Sequence, residues 1–177
     1  MKEPEIPFDS SFLLKKRRKL KKDLLADGSQ RMEKRIAVLG GSTTNDIISM
    51  LELFLLNCGI QPAFYQSEYA QYWQDAMFDN PELESFQPEL IFIHTTSSNI
   101  TEAPLPLSAS EQEVRDALER QFSHFSQMWE RLHEVYHCPI IQNNFELPST
   151  RLMGNRDAWD CPGMVWFIQE LNRKFGQ

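Results

Sequence analysis

A short apolar run at residues 35–39 ends in two glycines, and a stretch with the apolar period of a helix follows at once. An uninterrupted apolar run of this length is typical of a parallel strand that is buried on both faces. Two adjacent glycines let the backbone turn sharply and approach another group without an intervening Cβ. We therefore predict a strand at residues 35–39 that turns through Gly40 and Gly41 into a helix at residues 46–58, which Gly59 ends.

The same alternation of strand and helix signals continues along the chain. The patterns predict strands at 62–65, 89–94 and 138–142, and helices at 69–78, 111–136 and 159–175. They also predict a break at Asp79-Asn80-Pro81 and a loop at 101–110. A repeated strand–helix order favours a parallel sheet with helices on both faces. The predicted fold class is therefore α/β, a three-layer αβα sandwich of the flavodoxin-like kind. The four tryptophans fall among helical apolar positions and are predicted to lie in the core.

Charge divides the chain unevenly. Residues 1–34 carry a net charge of +4, mostly from the basic run at 15–22, whereas residues 35–177 carry −11. Such a run could bind nucleic acid or an anionic membrane, contact an acidic protein, or form a solvated helix face. The acidic body has no second basic patch, which argues against nucleic acid and membrane partners. We predict that residues 1–34 form a basic helical extension and that residues 35–177 form the α/β domain.

Composition excludes several other classes of protein. No run of about 18 apolar residues is present, as a membrane span requires, and the N-terminus lacks the pattern of a secretion signal. The three cysteines are an odd number without a CxxC pair, so neither a disulfide framework nor a zinc site is supported. We expect a cytoplasmic protein without a metal site in this chain.

Small polar residues follow each predicted strand. These segments are residues 40–45, 66–68, 94–99 and 143–146. The carboxyl ends of parallel strands meet at one edge of the sheet, and ligands bind there where the strand order reverses. The sequence therefore predicts a functional site at this edge.

The first of these segments offers a candidate nucleophile, Ser42. A serine at the start of the helix at 46–58 would face free N–H groups that favour a developing negative charge. With a neighbouring base it could attack a carbonyl group, and nearby N–H groups could form an oxyanion hole. It could instead cap the helix, and Thr43-x-x-Asp46 matches a capping box. The segment matches neither a dinucleotide-binding nor a P-loop pattern.

The other segments leave similar alternatives open. Asn99 could donate a hydrogen bond to an oxyanion or make an Asx turn. His94 could belong to the site or be a structural group at the end of its strand. Asn143 and Asn144 could bind polar substrate atoms or only turn the chain.

Four stretches of the sequence, in order and spacing, resemble the N-terminal region of FkbH-like proteins, which belong to subfamily IIIC of the haloacid-dehalogenase-type phosphatases. The resemblance runs from about Phe12 to Leu171 and rests on Arg35-Ile-Ala-Val-Leu-Gly-Gly-Ser-Thr-Thr-Asn45, Ile60-Gln-Pro-Ala-Phe-Tyr-Gln-Ser-Glu-Tyr69, Pro88-Glu-Leu-Ile-Phe-Ile-His-Thr-Thr96 and Ile140-Ile-Gln-Asn-Asn-Phe-Glu146. It implies a domain similar to SGNH/GDSL hydrolases that is fused to a phosphatase-type domain. Family members load a glyceryl or related acyl unit, derived from a phosphorylated three-carbon metabolite, onto an acyl carrier protein.

The resemblance also implies roles for individual residues. Ser42 falls at the position of the SGNH serine, and Asn99 falls near the asparagine that follows the third strand, which makes both candidate catalytic residues. Ser67 falls near the position of an oxyanion-hole glycine. The remaining predicted substrate-binding residues line the same segments: Gly40, Gly41, Thr43, His94, Asn143 and Asn144.

Two expected motifs have no match. The closing Asp-x-x-His of SGNH hydrolases is missing, since no histidine follows His137, and the Asp-x-Asp-x-Thr loop of the phosphatase domain is absent. We therefore expect the chain to be part of a larger enzyme and to have little esterase activity alone. The last strand of its own domain could lie outside the chain. Magnesium is expected only in the phosphatase-type domain. The alternative is a degenerate hydrolase fold that binds the carrier protein or its phosphopantetheine arm.

Overall fold

A computed structural model describes residues 9–176 of the chain, and residues 1–8 and 177 lie outside the described part. Strands and helices alternate after a first helix, in the order α1 Ser10–Ala26, β1 Met32–Gly40, α2 Asn45–Asn57, β2 Ile60–Gln66, α3 Tyr72–Met77, α4 Pro81–Phe86, β3 Leu90–His94, α5 Glu111–Tyr136, β4 Ile140–Gln142 and α6 Met164–Phe175. Single turns of 3₁₀ helix occur at Ser97–Asn99 and Gly154–Ala158.

The four strands form one parallel sheet in the order β2-β1-β3-β4. The chain leaves β1 toward one edge of the sheet to form β2, and then crosses back to form β3 on the other side of β1. The strand order therefore reverses between β1 and β3. The predicted α/β class, with helices on both faces of a parallel sheet, is confirmed.

One face of the sheet carries the main core. Side chains alternate between the faces along a strand, and Ala37, Leu39, Ile91 and Ile93 point to the same face. They join α3, α5 and α6 in one buried cluster, whose largest members are fully buried. This set includes Phe125, Met128, Leu132, Phe167 and Ile168. We call this side of the sheet the closed face.

The opposite face is covered only in part. Helix α2 lies over β2, and α1 packs on α2 through a small cluster of four buried leucines, Leu13, Leu24, Leu53 and Leu56. Beside this layer, Ile36, Leu90, Phe92 and Ile141 line an apolar groove of about 480 Å³ together with Leu51, Leu55 and three neighbours. We call this side the open face.

Helix α1 is tied to the domain by specific pairs. Arg17 forms an ion pair with Asp46 in the first turn of α2, and Lys21 forms one with Glu52 at 2.7 Å. The Arg31 guanidinium donates to the carbonyl oxygens of Leu24 (2.7 Å) and Leu56 (3.0 Å), and so joins the last turns of both helices. Because β1 begins at Met32, the strand starts inside the predicted extension of residues 1–34. Residues 1–8 of that extension lie outside the described part.

The long helix agrees with its prediction, and a short helix was missed. Helix α5 has the predicted bounds and begins with a capping box between Ser110 and Glu113. The Asp79-Asn80-Pro81 segment, predicted as a break only, starts helix α4: the Asn80 side chain accepts from the Leu83 N–H at 3.0 Å, and Pro81 takes the first helical position.

The last helix begins later than predicted. The pattern predicted residues 159–175, but α6 begins at Met164, because Pro162-Gly163 interrupts the helix and Gly163 is its N-cap. A Cβ on Gly163 would lie 2.1 Å from the Asp157 carbonyl oxygen, so only glycine fits there. Trp159 precedes the helix and is 81% exposed, so its predicted core position is wrong. Within residues 9–176 no helix has the length and apolarity that a bilayer span needs.

Candidate functional site

The segments that follow β1 and β3 meet where the strand order reverses. Gly40 and His94 are register partners at the ends of the two strands. One residue further, the Gly41 N–H donates to the His94 carbonyl oxygen at 2.8 Å. In open parallel sheets the crevice at such a reversal is the usual ligand site. Ser42, two residues beyond the end of β1, therefore lies at the position where folds of this class bind their ligands.

Ser42 is half-exposed and its hydroxyl faces a histidine. The Oγ atom lies 3.4 Å from His94 Nδ1. The alternative that Ser42 caps α2 is wrong, because the helix begins at Asn45 with Thr44 as its N-cap. The predicted capping box of Thr43 and Asp46 is not formed either, and Thr43 is exposed to solvent. Ser42 is thus not the cap of α2, and its role as a nucleophile stays a prediction.

Close packing explains both glycines before Ser42. A Cβ on Gly40 would lie 2.7 Å from the Thr44 Cγ2 atom, and a Cβ on Gly41 would lie 2.5 Å from Asn99 Oδ1. Real Cβ atoms do not approach other atoms so closely. The glycines therefore let the loop after β1 pack tightly against its neighbours.

Asn99 holds this loop in place. Its Oδ1 accepts from the Thr96 N–H at 2.9 Å, and its Nδ2 donates to the Gly41 carbonyl oxygen at 3.1 Å. The first bond makes Asn99 part of a capped turn at Ser97–Asn99. The second links the loops after β1 and β3 beside Ser42. One amide hydrogen of Asn99 has no partner among residues 9–176, so the oxyanion role stays a prediction.

Ser67 contacts the last residue of β1, next to the loop that contains Ser42. Its side chain is buried, and its Oγ accepts from the Gly40 N–H at 2.7 Å. Its own N–H donates to the Val38 carbonyl oxygen at 3.0 Å and is therefore engaged within the sheet. Gln66, which the sequence did not single out, donates to Thr44 Oγ1 at 2.9 Å. Gln66 and Ser67, at the end of β2, thus stabilise the loop that contains Ser42.

Backbone donors remain available next to the Ser42 hydroxyl. The N–H groups of Gly40 and Gly41 are used inside the protein. In the described part of the chain, those of Ser42 and Thr43 donate to no protein acceptor. They lie just before the first turn of α2, where the helix dipole favours negative charge. An oxyanion-hole role for these two groups is a prediction.

An exposed carboxylate is held by the segment that follows His94. Glu146, which follows β4, accepts from both the N–H (3.0 Å) and the hydroxyl (2.7 Å) of Ser97. Partial burial acts to raise the pKa of Glu146, but the Ser97 hydrogen bonds and the nearby His94 outweigh it and leave the pKa below its ordinary value. Burial lowers the pKa of His94, and Glu146 partly opposes that shift. At neutral pH the imidazole is therefore neutral and the carboxylate is ionised.

The two asparagines after β4 have different positions. Asn143 accepts from the Thr95 N–H at 3.0 Å and donates to the Thr95 carbonyl oxygen at 2.7 Å. Its side chain therefore joins the segments that follow β4 and β3. Asn144 is exposed and lines a groove of about 500 Å³ at the β4 edge, beside Trp129 and Phe175. Ser42 and His94 do not line that groove. Their substrate-binding roles remain predictions.

Sequence reasoning missed the partner of Ser42. His94 was predicted among the substrate-binding residues, with a structural role as the alternative, and the pairing could not be read from two residues 52 positions apart. The signal that could have found it is register, because parallel strands ending at Gly40 and His94 bring the next residues together. Of the His, Cys, Asp and Glu side chains in residues 9–176, no three lie close enough to hold a metal ion.

Comparison with known proteins gives a structural similarity only. No family model and no curated protein matches the sequence. The fold is similar to the crystal structure of the N-terminal part of the protein BF1531 from Bacteroides fragilis, which contains a phosphatase domain and is complexed with Mg. The TM-score is 0.70 and the sequence identity is 17%, so the similarity shows the fold alone. The match covers 90% of this chain and 41% of the other, so this chain spans about two fifths of its neighbour's length.

Proposed function

We propose that this chain is the SGNH-hydrolase-like domain of an FkbH-like cytoplasmic enzyme. In this proposal the enzyme loads a glyceryl or related acyl unit, from a phosphorylated three-carbon metabolite, onto an acyl carrier protein. The acyl group is held or transferred at Ser42. The observation that carries the proposal is the position of the Ser42 hydroxyl at the strand-order reversal, 3.4 Å from an imidazole nitrogen.

The geometry fits acyl transfer through a serine ester. The Ser42 oxygen attacks the acyl carbonyl carbon, and the negative charge on the carbonyl oxygen is stabilised by the free N–H groups of Ser42 and Thr43. The bond from the carbonyl carbon to the leaving group then breaks, and the leaving group departs with the electron pair. The thiol of the carrier's phosphopantetheine arm attacks the ester in turn and releases the Ser42 hydroxyl.

The surface of α1 supports a carrier protein as the partner. Carrier proteins are acidic as a class, and five basic side chains of α1 are exposed: Lys15, Lys16, Arg18, Lys19 and Lys22. Arg17 and Lys21 are instead engaged by α2. Because Arg17 pairs with Asp46, four residues beyond Ser42, the first half of α1 lies at the same end of the sheet as the serine. A carrier bound there could deliver its thiol to the site.

The test is acyl loading by the full-length protein that contains this domain. We expect Ser42→Ala to reduce the rate of loading at least 100-fold, because the acyl acceptor is removed. Ser49→Ala is the matched control, since Ser49 lies two turns away in α2 and its hydroxyl only donates to the Asn45 carbonyl oxygen at 2.8 Å. Loading that survives Ser42→Ala unchanged would contradict a serine ester.

A second candidate is a domain that binds the carrier or its phosphopantetheine arm without chemistry. It is favoured by one observation: the polar groups of Ser67, Asn99 and Asn143 are largely engaged inside the fold. In that case Ser42→Ala leaves loading intact. Replacing Lys15, Lys16 and Lys19 together by Glu then weakens carrier binding, which is also sensitive to salt.

A further inference from the structure

The contact between Ser42 and His94 follows from the pairing of β1 with β3. The two residues follow neighbouring parallel strands, and the bond from the Gly41 N–H to the His94 carbonyl oxygen fixes their separation. Asn99 holds the loop on the other side through the Gly41 carbonyl oxygen. The 3.4 Å separation of Ser42 Oγ and His94 Nδ1 is at the long end for a hydrogen bond, as is common for catalytic pairs without substrate.

The surroundings of His94 suit a proton acceptor. The ring is half-buried, and the Phe92 ring lies on the same face of the sheet, 6.2 Å away between centroids. Burial lowers the pKa of His94, so the imidazole is neutral and can accept a proton near pH 7. For Nδ1 to accept, the ring must carry its proton on Nε2.

Glu146 is an exposed negative charge held by the segment that follows His94, and no hydrogen bond or ion pair among the described residues joins it to the imidazole. Ser97, three residues after His94, holds the carboxylate with two hydrogen bonds, and this charge partly opposes the lowering of the His94 pKa by burial. An imidazolium that forms at His94 would be attracted by this charge. The three groups come from three different strand ends: β1, β3 and β4.

We propose that His94 is the general base of Ser42. This base comes from the end of the third strand, in place of the closing Asp-x-x-His that the sequence lacks. As the Ser42 oxygen bonds to the acyl carbon, its proton moves to His94 Nδ1, and His94 returns a proton to the leaving group. The proposal rests on the proposed function only for the identity of the acyl group.

The test uses a fluorophosphonate probe, which reports attack by a serine without a carrier protein or turnover. In the reaction the Ser42 oxygen forms a bond to phosphorus, the phosphorus–fluorine bond breaks, fluoride leaves, and the serine proton passes to His94. We expect the 177-residue chain to be labelled at Ser42, as located by peptide mass spectrometry. The rate should rise with pH to a plateau as His94 loses its proton.

His94→Asn is the main variant, because the asparagine side chain can place a polar atom near the position of Nδ1 but cannot take the proton. A positioned base contributes roughly 100- to 10,000-fold, so we expect the labelling rate to fall by about that factor. The acidic limb of the pH profile should disappear as well. His133→Asn is the matched control, since His133 is an exposed histidine of α5, and it should label at the wild-type rate.

Glu146→Gln tests whether the acidic limb of the labelling profile belongs to His94. Glu146 raises the pKa of His94, so its loss should move the acidic limb of the labelling profile to lower pH. Circular dichroism and thermal unfolding check that each variant is folded. If His94→Asn does not fold, the wild-type profile and its shift in Glu146→Gln decide the question.

Two results would overturn the proposal. One is the absence of label at Ser42 in the wild-type chain. The other is labelling of His94→Asn at the wild-type rate with an unchanged pH profile. Failure of acyl loading with His94-dependent labelling intact would count against the proposed function alone, because labelling needs neither carrier nor acyl donor.

Discussion

The two faces of the sheet differ in how completely they are covered. The closed face is packed by α3, α5 and α6, and Ile91 and Ile93 on it are fully buried. The open face has α2 and α1 over one part only, and Ile141 on its last strand is 52% exposed. Both faces belong to the same strands, since neighbouring residues point to opposite sides.

This difference separates stability from function within one sheet. The closed face holds most of the buried apolar surface, which is the dominant favourable contribution to folding. The open face has Leu90, Phe92 and then His94 at every second position of β3, so the histidine that faces Ser42 belongs to this face. We therefore expect substitutions on the closed face to affect stability and those on the open face to affect mainly the site.

The largest effect is expected for Phe125→Ala on the closed face. Phe125 is fully buried between α5 and its neighbours and contacts the rings of Phe145 and Phe175 at 5.4 Å between centroids. Its truncation removes buried apolar surface and leaves a cavity, which should cost about 3–5 kcal/mol in the free energy of unfolding. Urea denaturation followed by circular dichroism measures the change.

Phe92→Ala is the matched control on the open face. Phe92 is half-buried, so its truncation should cost about half as much as Phe125→Ala or less. Equal losses in the free energy of unfolding for the two variants would show that the faces contribute equally to stability. That result would contradict the difference between the closed and open faces.

The next effect concerns the layer of α1 and α2. The Arg31 side chain, 7% exposed, donates to two helix carbonyl oxygens and pairs with Asp27 at 3.0 Å. Arg31→Met keeps the apolar stem but removes these bonds, and we expect a loss of about 2–3 kcal/mol in the free energy of unfolding. Arg173→Met is the control, since that guanidinium is exposed and pairs with Glu170 within its own helix. A loss confined to Arg31→Met supports a specific anchor for α1.

The strongest local patterns predicted the fold. The apolar run ending in Gly40 and Gly41 predicted the central strand. The strand begins earlier, at Met32, because the consecutive charged residues Glu33 and Lys34 fall outside the apolar pattern. Helix α5 was predicted with its bounds, since apolar residues recur at helical spacing and Ser110 and Glu113 form its capping box. Both signals lie within a few residues of the elements that they specify.

The site was predicted less completely, because its contacts join distant segments. The sequence identified Ser42, but it also allowed a helix cap that the structure excludes. It named His94 without its partner, and it did not name Glu146 among the site residues, because the three belong to separate segments at the ends of β1, β3 and β4. The stacking of His124 on Trp73, 3.7 Å between centroids, likewise joins distant segments, and local patterns do not predict it.

A smaller effect is expected for Gly41→Ala, in the loop that follows β1. The added methyl group would displace the Asn99 amide and break its bonds to Thr96 and to Gly41 itself. We expect a loss of about 1–3 kcal/mol in the free energy of unfolding, with reduced labelling of Ser42. In an Asn99→Ala background these bonds are already absent, so the same substitution should cost less. A double-mutant cycle measures this coupling, and additive losses would contradict it.

The smallest effect is expected for Ile141→Ser on the open face. Ile141 is 52% exposed and lines the apolar groove opposite Phe92. If the groove is open to solvent, the hydroxyl stays hydrated and the free energy of unfolding changes by only about 0.5 kcal/mol. Ile93→Ser, on the closed face of the adjacent strand, is the control and should cost several times more, because its hydroxyl would be buried. A large loss for Ile141→Ser that depends on protein concentration would instead mean that another chain covers the open face.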